Sequence, residues 1–364
     1  MPRLPAHDRE DPGKVRQEAL SFHHRSYPAS RIAGALAERS LTVSVCLPAR
    51  ECAAPVGEIV GALGALRRAG VVDEIVNVDA ASGDGTAAVA ARAGAAVWQE
   101  AELMRSWGPV LGKGDAMWRA LSVLEGDLVC FLDADTEQFR PHFLTGLLGP
   151  LVCEPGVSFV KGFYRRPLAA DGLLEADGGG RVNHLTARPA LAVFYPQLAH
   201  VRQPLAGEVA ARRDLLERLP FATGYGVEIA MLIDAWREVG LPGIAEVDLG
   251  EHRNRHQPLS ALTPMAVTVL ATVAARLERE GRLAGPPPGA VDGDGGVADG
   301  GGVADGGGVA SSPPLERPPF IRSGEPAARA ANPRRTGAGV RRWARTRGCS
   351  GSARSSSRRA PARW

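Results

Sequence analysis

Long apolar runs are missing from this chain: nowhere in its 364 residues do 18 consecutive apolar residues occur, so no segment reads as a bilayer span. Residues 261–277 come nearest, but Thr263, Pro264, Thr268, Thr272 and Arg276 interrupt them. The stretch from Met1 to Asp11 is polar and holds no apolar segment, which argues against a secretory leader. Cysteine is scarce and odd in number. Cys46, Cys52, Cys130, Cys153 and Cys349 show no C-x-x-C spacing, and Cys46 and Cys130 fall inside apolar runs, as buried reduced thiols would. These absences point to a cytoplasmic setting. Lysine is lacking altogether from residues 316–364, where 13 arginines meet only Glu316 and Glu325, for a local net charge of +11. The preceding residues therefore carry −8 of the chain's total of +3, so the globular part is acidic. No RNA- or DNA-binding signature interleaves with the arginines. A nucleic-acid partner is not expected, and the tail reads as a solvated extension.

Composition divides the chain into three parts. Residues 1–39 read as an N-terminal extension and residues 40–284 as one globular domain rich in Val, Leu, Ile and Ala. From Gly285 onward the character changes: Pro286-Pro287-Pro288 precedes a glycine-rich repeat in which Val297-Ala298-Asp299 recurs as Val303-Ala304-Asp305. Such a segment cannot bury enough apolar surface to offset the entropy of ordering it, so residues 285–364 are expected to be a disordered tail.

Within the domain, strands and helices alternate. Residues 43–48 read as a buried strand stopped by Pro48, and residues 56–68 carry Val56, Ile59, Val60, Leu63 and Leu66 on one helical face. A strand over residues 74–79 ends in Asp79, and Ser82 to Thr86 supply a turn before an Ala-rich helix at residues 86–93. A short strand at 95–98, a helix at 115–124 opened by Gly112-Lys113-Gly114, and an apolar strand at 128–132 follow. This order predicts an α/β fold with a Rossmann-like, mostly parallel sheet and helices on both faces. A regular first half (about 40–140) precedes a less regular second half (about 141–284). The second half adds a strand at 157–164, a glycine-rich loop at 178–182, a weak helix at 188–198, an amphipathic helix at 228–239, and a strand at 244–249. A last helix at 260–283 should pack on the core or on a neighbouring subunit.

In open parallel sheets, ligands collect beyond the carboxyl ends of the strands. Pro48-Ala49-Arg50-Glu51, Asp79 and Asp133-Ala134-Asp135 all fall at such ends. Strand residues alternate faces, so Asp133 and Asp135 are expected on one side. Two acids at such a mouth suit a divalent cation that steadies the diphosphate of a nucleotide. Lys113, behind a glycine at a helix start, has the position of a phosphate contact. Asp115 suits the first turn of that helix. Gly180 and Arg181 suit an anion nest with an arginine fork, and Arg165 and Arg166 are further candidates for a small anionic acceptor.

Seven strings carry a specific likeness: Leu47-Pro48-Ala49, the residues from Gly112 to Trp118, Asp133-Ala134-Asp135, Tyr164 to Pro167, Gly178 to Val182, Gly224 to Ile229, and His252 to Arg255. In this order they resemble the retaining glucosyl-3-phosphoglycerate synthases and their mannosyl relatives, transferases of the GT-A fold, across roughly residues 40–280. The resemblance implies transfer of glucose from UDP-glucose to the 2-hydroxyl of 3-phosphoglycerate, the departing diphosphate itself taking the acceptor proton. It implies catalytic roles for Asp135, Lys113 and Glu228, the last near the hexose. The nucleotide sugar falls to Pro48, Ala49, Arg50, Glu51, Asp79, Lys113, Asp133 and Ala134. The acceptor falls to Gly180, Arg181, Val182, Asn183, Tyr225 and Asn254. Mg²⁺ or Mn²⁺ is implied on Asp135 and a histidine. That histidine is His252 by its string, while a count back from Pro258-Leu259 puts Asn254 at the family position, with His256 close by. A homodimer is also implied.

Two strings depart from the family. Arg50-Glu51-Cys52 replaces an acidic pair, and Asp79-Ala80-Ala81-Ser82 lacks a serine directly after the aspartate. Diphosphate recognition is therefore better spelled out than base recognition. A mannosyl enzyme using GDP-mannose, a transferase acting on a polyprenyl phosphate, and a non-catalytic nucleotide-sugar binder remain the alternatives.

Overall fold

The computed structural model describes residues 20–170, 173–175, 178–253, 259–283 and 315–323. Its centre is a strand too apolar to face water on either side. In β2 (Val43–Ala49), preceded by β1 (Leu20–His23) and α1 (Ala29–Arg39), six of seven residues are buried, which requires layers on both faces of the sheet. α2 (Ala53–Arg68), β3 (Glu74–Asp79), α3 (Thr86–Ala93), β4 (Ala96–Gln99), α4 (Lys113–Ala120), β5 (Leu128–Phe131) and α5 (Pro141–Cys153) complete the first half. The second half runs through β6 (Phe159–Arg165), a hairpin of β7 (Leu168–Ala170) and β8 (Leu173–Glu175), α6 (Arg188–Phe194), β9 (Val209–Arg212), α7 (Arg213–Leu216), β10 (Phe221–Ala222), α8 (Val227–Val239), β11 (Ile244–Glu251) and α9 (Leu259–Arg279). A last strand, β12 (Glu316–Arg317), pairs with β10.

Eight strands form the main sheet in the order β1-β11-β6-β9-β5-β2-β3-β4. Only β9 runs antiparallel to its neighbours, so the expected mostly parallel sheet is observed. Apolar clusters cover both faces, one around Ile59, Val60, Leu63 and Leu147, the other around Trp118, Leu191, Ile229 and Ile233. Cys46 and Cys130 are buried free thiols, as their setting in apolar runs suggested.

Several boundaries move. The extension assigned to residues 1–39 is folded from Leu20 onward: β1 pairs parallel with β11, and Tyr27, Ile32 and Leu36 are buried in the core. β5 stops at Phe131, so Asp133 and Asp135 leave the sheet from a turn and not by strand alternation. α4 starts at Lys113 itself and ends at Ala120. The glycine-rich loop enters a π-type turn at Asn183–Ala187 before α6, a widened geometry frequent at functional sites. α9 is long and apolar enough to cross a membrane by length and composition alone. It packs instead beside α8, with Arg276 buried against Asp234 at 2.6 Å.

The expectation of disorder across 285–364 is overturned for residues 315–323, which dock on the core, with Arg317 and Phe320 buried. The glycine-rich repeat and most of the arginine-rich tail lie outside the described residues.

Two buried ionisable groups face each other in register across the sheet interior, Lys161 on β6 and Glu246 on β11. Lys161 Nζ donates to the Ala206 carbonyl at 2.6 Å, and Glu246 accepts from the Arg202 amide at 2.8 Å. Burial pushes Glu246 up from 4.5 to about 7 and Lys161 down to about 8. Because the folded pKa of Glu246 lies above its unfolded value, the folded state holds the extra proton between those values, and stability falls as pH rises through that window. Glu246→Gln should remove up to about 3 kcal/mol of that pH dependence between pH 5 and 7. Thermal melts at the two pH values test it, and an unchanged slope in the variant would refute the assignment.

Candidate active site

The carboxyl ends of β2, β3 and β5 open into one cleft of about 1240 Å³. Its walls include Pro48, Ala49, Arg50 and Glu51 after β2, Ala80 after β3, Asp133, Ala134 and Asp135 after β5, and Lys113 at the start of α4. Val182, Tyr225, Glu228 and Arg166 line it from the second half. Residues separated by most of the domain therefore meet in one cavity.

Lys113 sits at its centre. Nζ lies 2.6 Å from Asp133 Oδ1 and 2.8 Å from Glu228 Oε1. Burial works against the ammonium charge, but Asp133 and then Glu228 outweigh it and hold the pKa well above its ordinary value. The side chain is therefore a fixed cation and not a proton donor at neutral pH. Gly114, next to it, allows α4 to lie against β10, since a Cβ there would overlap the Ala222 carbonyl. Asp135 answers in the opposite sense: burial and the neighbouring Asp133 raise its carboxyl pKa, which is the state of an acid awaiting a cation.

Behind this wall stands His252, which is 1% exposed and stacked on Tyr164 with ring centroids 4.3 Å apart. Its Nε2 lies 3.1 Å from both Glu208 Oε1 and Thr136 Oγ1. Burial would raise the Glu208 carboxyl, but His252 and the Tyr164 hydroxyl, which donates at 2.7 Å, hold it well below the usual range. A carboxylate only accepts, so the hydrogen of a neutral ring belongs on Nε2. That leaves Nδ1 as a bare lone pair, buried and without a partner.

A histidine oriented by a carboxylate on its far nitrogen is the usual support of a metal ligand. Asp135 and His252 can thus hold a divalent ion. Among the described residues no cluster of three His, Cys, Asp or Glu side chains could enclose a metal.

Other expected residues are placed differently. Asp79 is buried behind the wall, its Oδ2 accepting from the Ser82 amide and Gln99 Nε2, both at 3.0 Å. Gly180, Arg181 and Asn183 do not line the cleft, and Val182 alone of that loop reaches it. Asn183 turns inward, donating to the Arg202 carbonyl at 3.1 Å. Arg166 supplies the guanidinium on that wall, 5.6 Å over the Tyr164 ring, while its own carbonyl accepts from the Gly179 amide at 3.0 Å. Asn254 and His256 lie outside the described residues. Glu208 and Thr136 were not anticipated, and nothing in their spacing marks them. Glu51 and Gln138, both on the cleft, hold left-handed backbone conformations with φ near 53° and 55°, a strain that clusters at working sites.

A fixed cation and an acid pair at the strand ends of a mostly parallel sheet suit the diphosphate of a nucleotide sugar, the donor of a glycosyl transferase. A model of the glycosyl transferase family 2 matches residues 44–170. The chain is 44% identical to the glucosyl-3-phosphoglycerate synthase of Mycolicibacterium smegmatis over 70% of its own length and 84% of that protein's. Among solved structures it resembles mannosyl-3-phosphoglycerate synthase from Rubrobacter xylanophilus (TM-score 0.72, 46% identity, 83% of this chain and 95% of that one). It also resembles glucosyl-3-phosphoglycerate synthase from Mycobacterium tuberculosis in complex with Mn²⁺, UDP-glucose and phosphoglyceric acid (TM-score 0.68, 36% identity, 83% and 98%). The chain belongs to the glucosyl-3-phosphoglycerate synthase family of hexosyltransferases.

Glu208→Gln should loosen Mn²⁺ binding about 10- to 100-fold, because an amide no longer fixes the hydrogen on Nε2. Titration of the protein with Mn²⁺ by electron paramagnetic resonance measures this directly. Unchanged affinity would show that the lone pair at Nδ1 is not the ligand.

Proposed function

We propose that this enzyme transfers glucose from UDP-glucose to the 2-hydroxyl of 3-phosphoglycerate with retention at the anomeric carbon. The observation that carries the reading is the convergence of Lys113, Asp133, Asp135 and Glu228 on one wall of a cleft that Arg166 and Val182 close from the acceptor half. The solved relative from M. tuberculosis holds the same donor, an acceptor acid and Mn²⁺.

Pro48, Ala49, Arg50 and Glu51 receive the nucleotide, with Ala80 and the buried Asp79 shaping the adjacent turn. Asp135 and His252 would hold Mg²⁺ or Mn²⁺, and such an ion would supply Lewis-acid neutralisation of the leaving diphosphate. Lys113, permanently charged, faces the same diphosphate and trades part of its pairing with Asp133 for it. Glu228 accepts from a hydroxyl of the hexose, and Tyr225, on the cleft wall, borders the sugar. An acceptor bearing roughly three negative charges needs matching cation, since unpaired charge in a cleft is strongly unfavourable. Arg166 supplies it on the wall, beside the loop of Gly180, Arg181, Val182 and Asn183. With these groups neutralising and orienting both substrates, front-face departure lets the diphosphate oxygen take the acceptor proton.

The enzyme is assigned to the cytoplasm on its free thiols, Cys46, Cys52, Cys130 and Cys153, and to a homodimer by family resemblance. A second donor deserves a place in the test, because the 46% identity to the Rubrobacter mannosyl enzyme accompanies a departure at Cys52, which lines the cleft.

Purified enzyme should transfer label from UDP-glucose to 3-phosphoglycerate, lose the activity in EDTA, and regain it with Mg²⁺ or Mn²⁺. GDP-mannose in a parallel reaction decides the donor, and proton coupling at the anomeric carbon of the product decides its configuration. Asp135→Ala should lower kcat at least about 10²-fold with the fold intact; near-normal turnover of that variant in saturating Mg²⁺ would overturn the proposal.

A further inference from the structure

Residues 315–323 lie apart from the cleft walls, yet they bind Asp115 and Thr223, which adjoin the turns carrying two of its residues, Lys113 and Glu228. The Arg317 guanidinium is buried and grips Asp115 with both ends, Nε to Oδ1 and Nη2 to Oδ2, each at 2.8 Å. Nη1 donates to the Trp107 carbonyl at 3.0 Å and Nη2 to that of Pro109 at 3.2 Å, so the fork also fastens the loop before α4. Asp115 is fully buried. Its Oδ2 accepts from the Leu111 amide at 2.9 Å and its Oδ1 from Arg119 Nε at 3.1 Å. Burial would raise this carboxyl, but Arg317 and then Arg119 outweigh it and keep it ionised. Leu111 and Gly112 form the turn that delivers Lys113 to the cleft.

A second line of contacts reaches the other partner. The Leu315 carbonyl accepts from both the amide and the hydroxyl of Thr223, each at 3.0 Å, and the Thr223 carbonyl accepts from the Asp115 amide at 3.2 Å. Thr223 leads through Gly224 and Tyr225 to Glu228, the residue that pairs with Lys113 at 2.8 Å. The segment is anchored by Phe320, 2% exposed and edge-on to Trp118, and by Trp118 Nε1 donating to the Pro318 carbonyl at 2.9 Å. Glu316 adds an ion pair with the buried Arg276 at 2.7 Å.

We infer that residues 315–323 are a working part of the active site, a strap in which Arg317 is a positioning residue: through Asp115 it sets the turn carrying Lys113, and beside it Leu315 fixes the turn carrying Glu228. The inference rests on the reading of Lys113 as the diphosphate contact. Without Arg317, Asp115 keeps one guanidinium where it had two: Arg119 still joins it to the Gly108 and Pro109 carbonyls, but the links to the Trp107 carbonyl and to residues 315–323 are lost. Displacing a catalytic group by about 1 Å costs on the order of 10²-fold in rate.

The test uses the full chain carrying Arg317→Gln, with Arg317→Lys as the conservative variant. Expected for Arg317→Gln is a fall on the order of 10²-fold in kcat/KM for UDP-glucose and weaker UDP binding by calorimetry, with KM for 3-phosphoglycerate held within about twofold. Arg317→Lys should recover part of the loss. Phe320→Ala, which loosens the anchor and leaves the Arg317–Asp115 pair in place, should show a smaller loss with the same bias toward the nucleotide, and stands in if the first variant does not fold. Wild-type turnover and UDP affinity in Phe320→Ala despite a lowered melting temperature, or equal losses toward both substrates in Arg317→Gln, would overturn the inference. A wild-type enzyme that transfers no glucose would refute the activity instead, while UDP affinities would still judge the strap.

Discussion

Three side chains far apart in the sequence depend on one another: the ammonium of Lys113 is held between the carboxylates of Asp133 and Glu228 at 2.6 and 2.8 Å. Each comes from a different element, α4, the turn after β5, and α8. Asp135, raised in pKa by burial and by Asp133, stands beside them. Without the ammonium, three acids would crowd one wall, and their repulsion in a partly desolvated cleft would drive the wall apart or protonate it. The ion cluster therefore serves the fold before any substrate arrives. On the proposed function, an incoming diphosphate would compete with Asp133 for a cation already in position.

A second assembly is held together by hydrogen bonds. Tyr164, Glu208, Thr136 and His252 form a buried network in which every bond has a direction: the tyrosine hydroxyl donates to Glu208, the imidazole donates from Nε2, and Thr136 passes its own hydrogen to the Asp133 carbonyl at 3.1 Å. The outcome is a defined tautomer with one lone pair left over. Such a network is rigid because each member satisfies another, and rigidity is what a metal ligand requires. It also joins the ion cluster to the imidazole through Thr136 and the backbone of Asp133.

Much of this was legible in the sequence. Strands β2, β3 and β5 announced themselves as apolar runs, and Ala49, Asp79 and Asp133, at or just beyond their ends, located the crevice because parallel sheets bind ligands at that edge, although Asp79 itself is buried behind the wall. Lys113 and Glu228 were legible through their strings, though nothing in the spacing showed that they touch. Glu208 was invisible, being a single acid in an ordinary stretch whose role depends on a partner 44 residues away. Arg181 and Arg166 could not be ranked, since only the path of the loop decides which guanidinium faces the cleft. Segment 315–323 was read as disordered because it lies between a glycine-rich repeat and an arginine-rich tail that bury little apolar surface. Its order comes from a buried arginine and a tryptophan surface made by other parts of the chain. In the same way, Leu20–His23 was too short to stand out, and it gains strand structure from a neighbour more than 200 residues on.

That N-terminal strand has a consequence for how the molecule keeps to itself. β1 covers the hydrogen-bonding edge of β11, an eight-residue strand that is mostly buried. Uncovered, such an edge is a template for pairing with strands of other molecules. A shortened form beginning near residue 40 would therefore expose an adhesive seam just before His252, and self-association would begin beside the catalytic cleft.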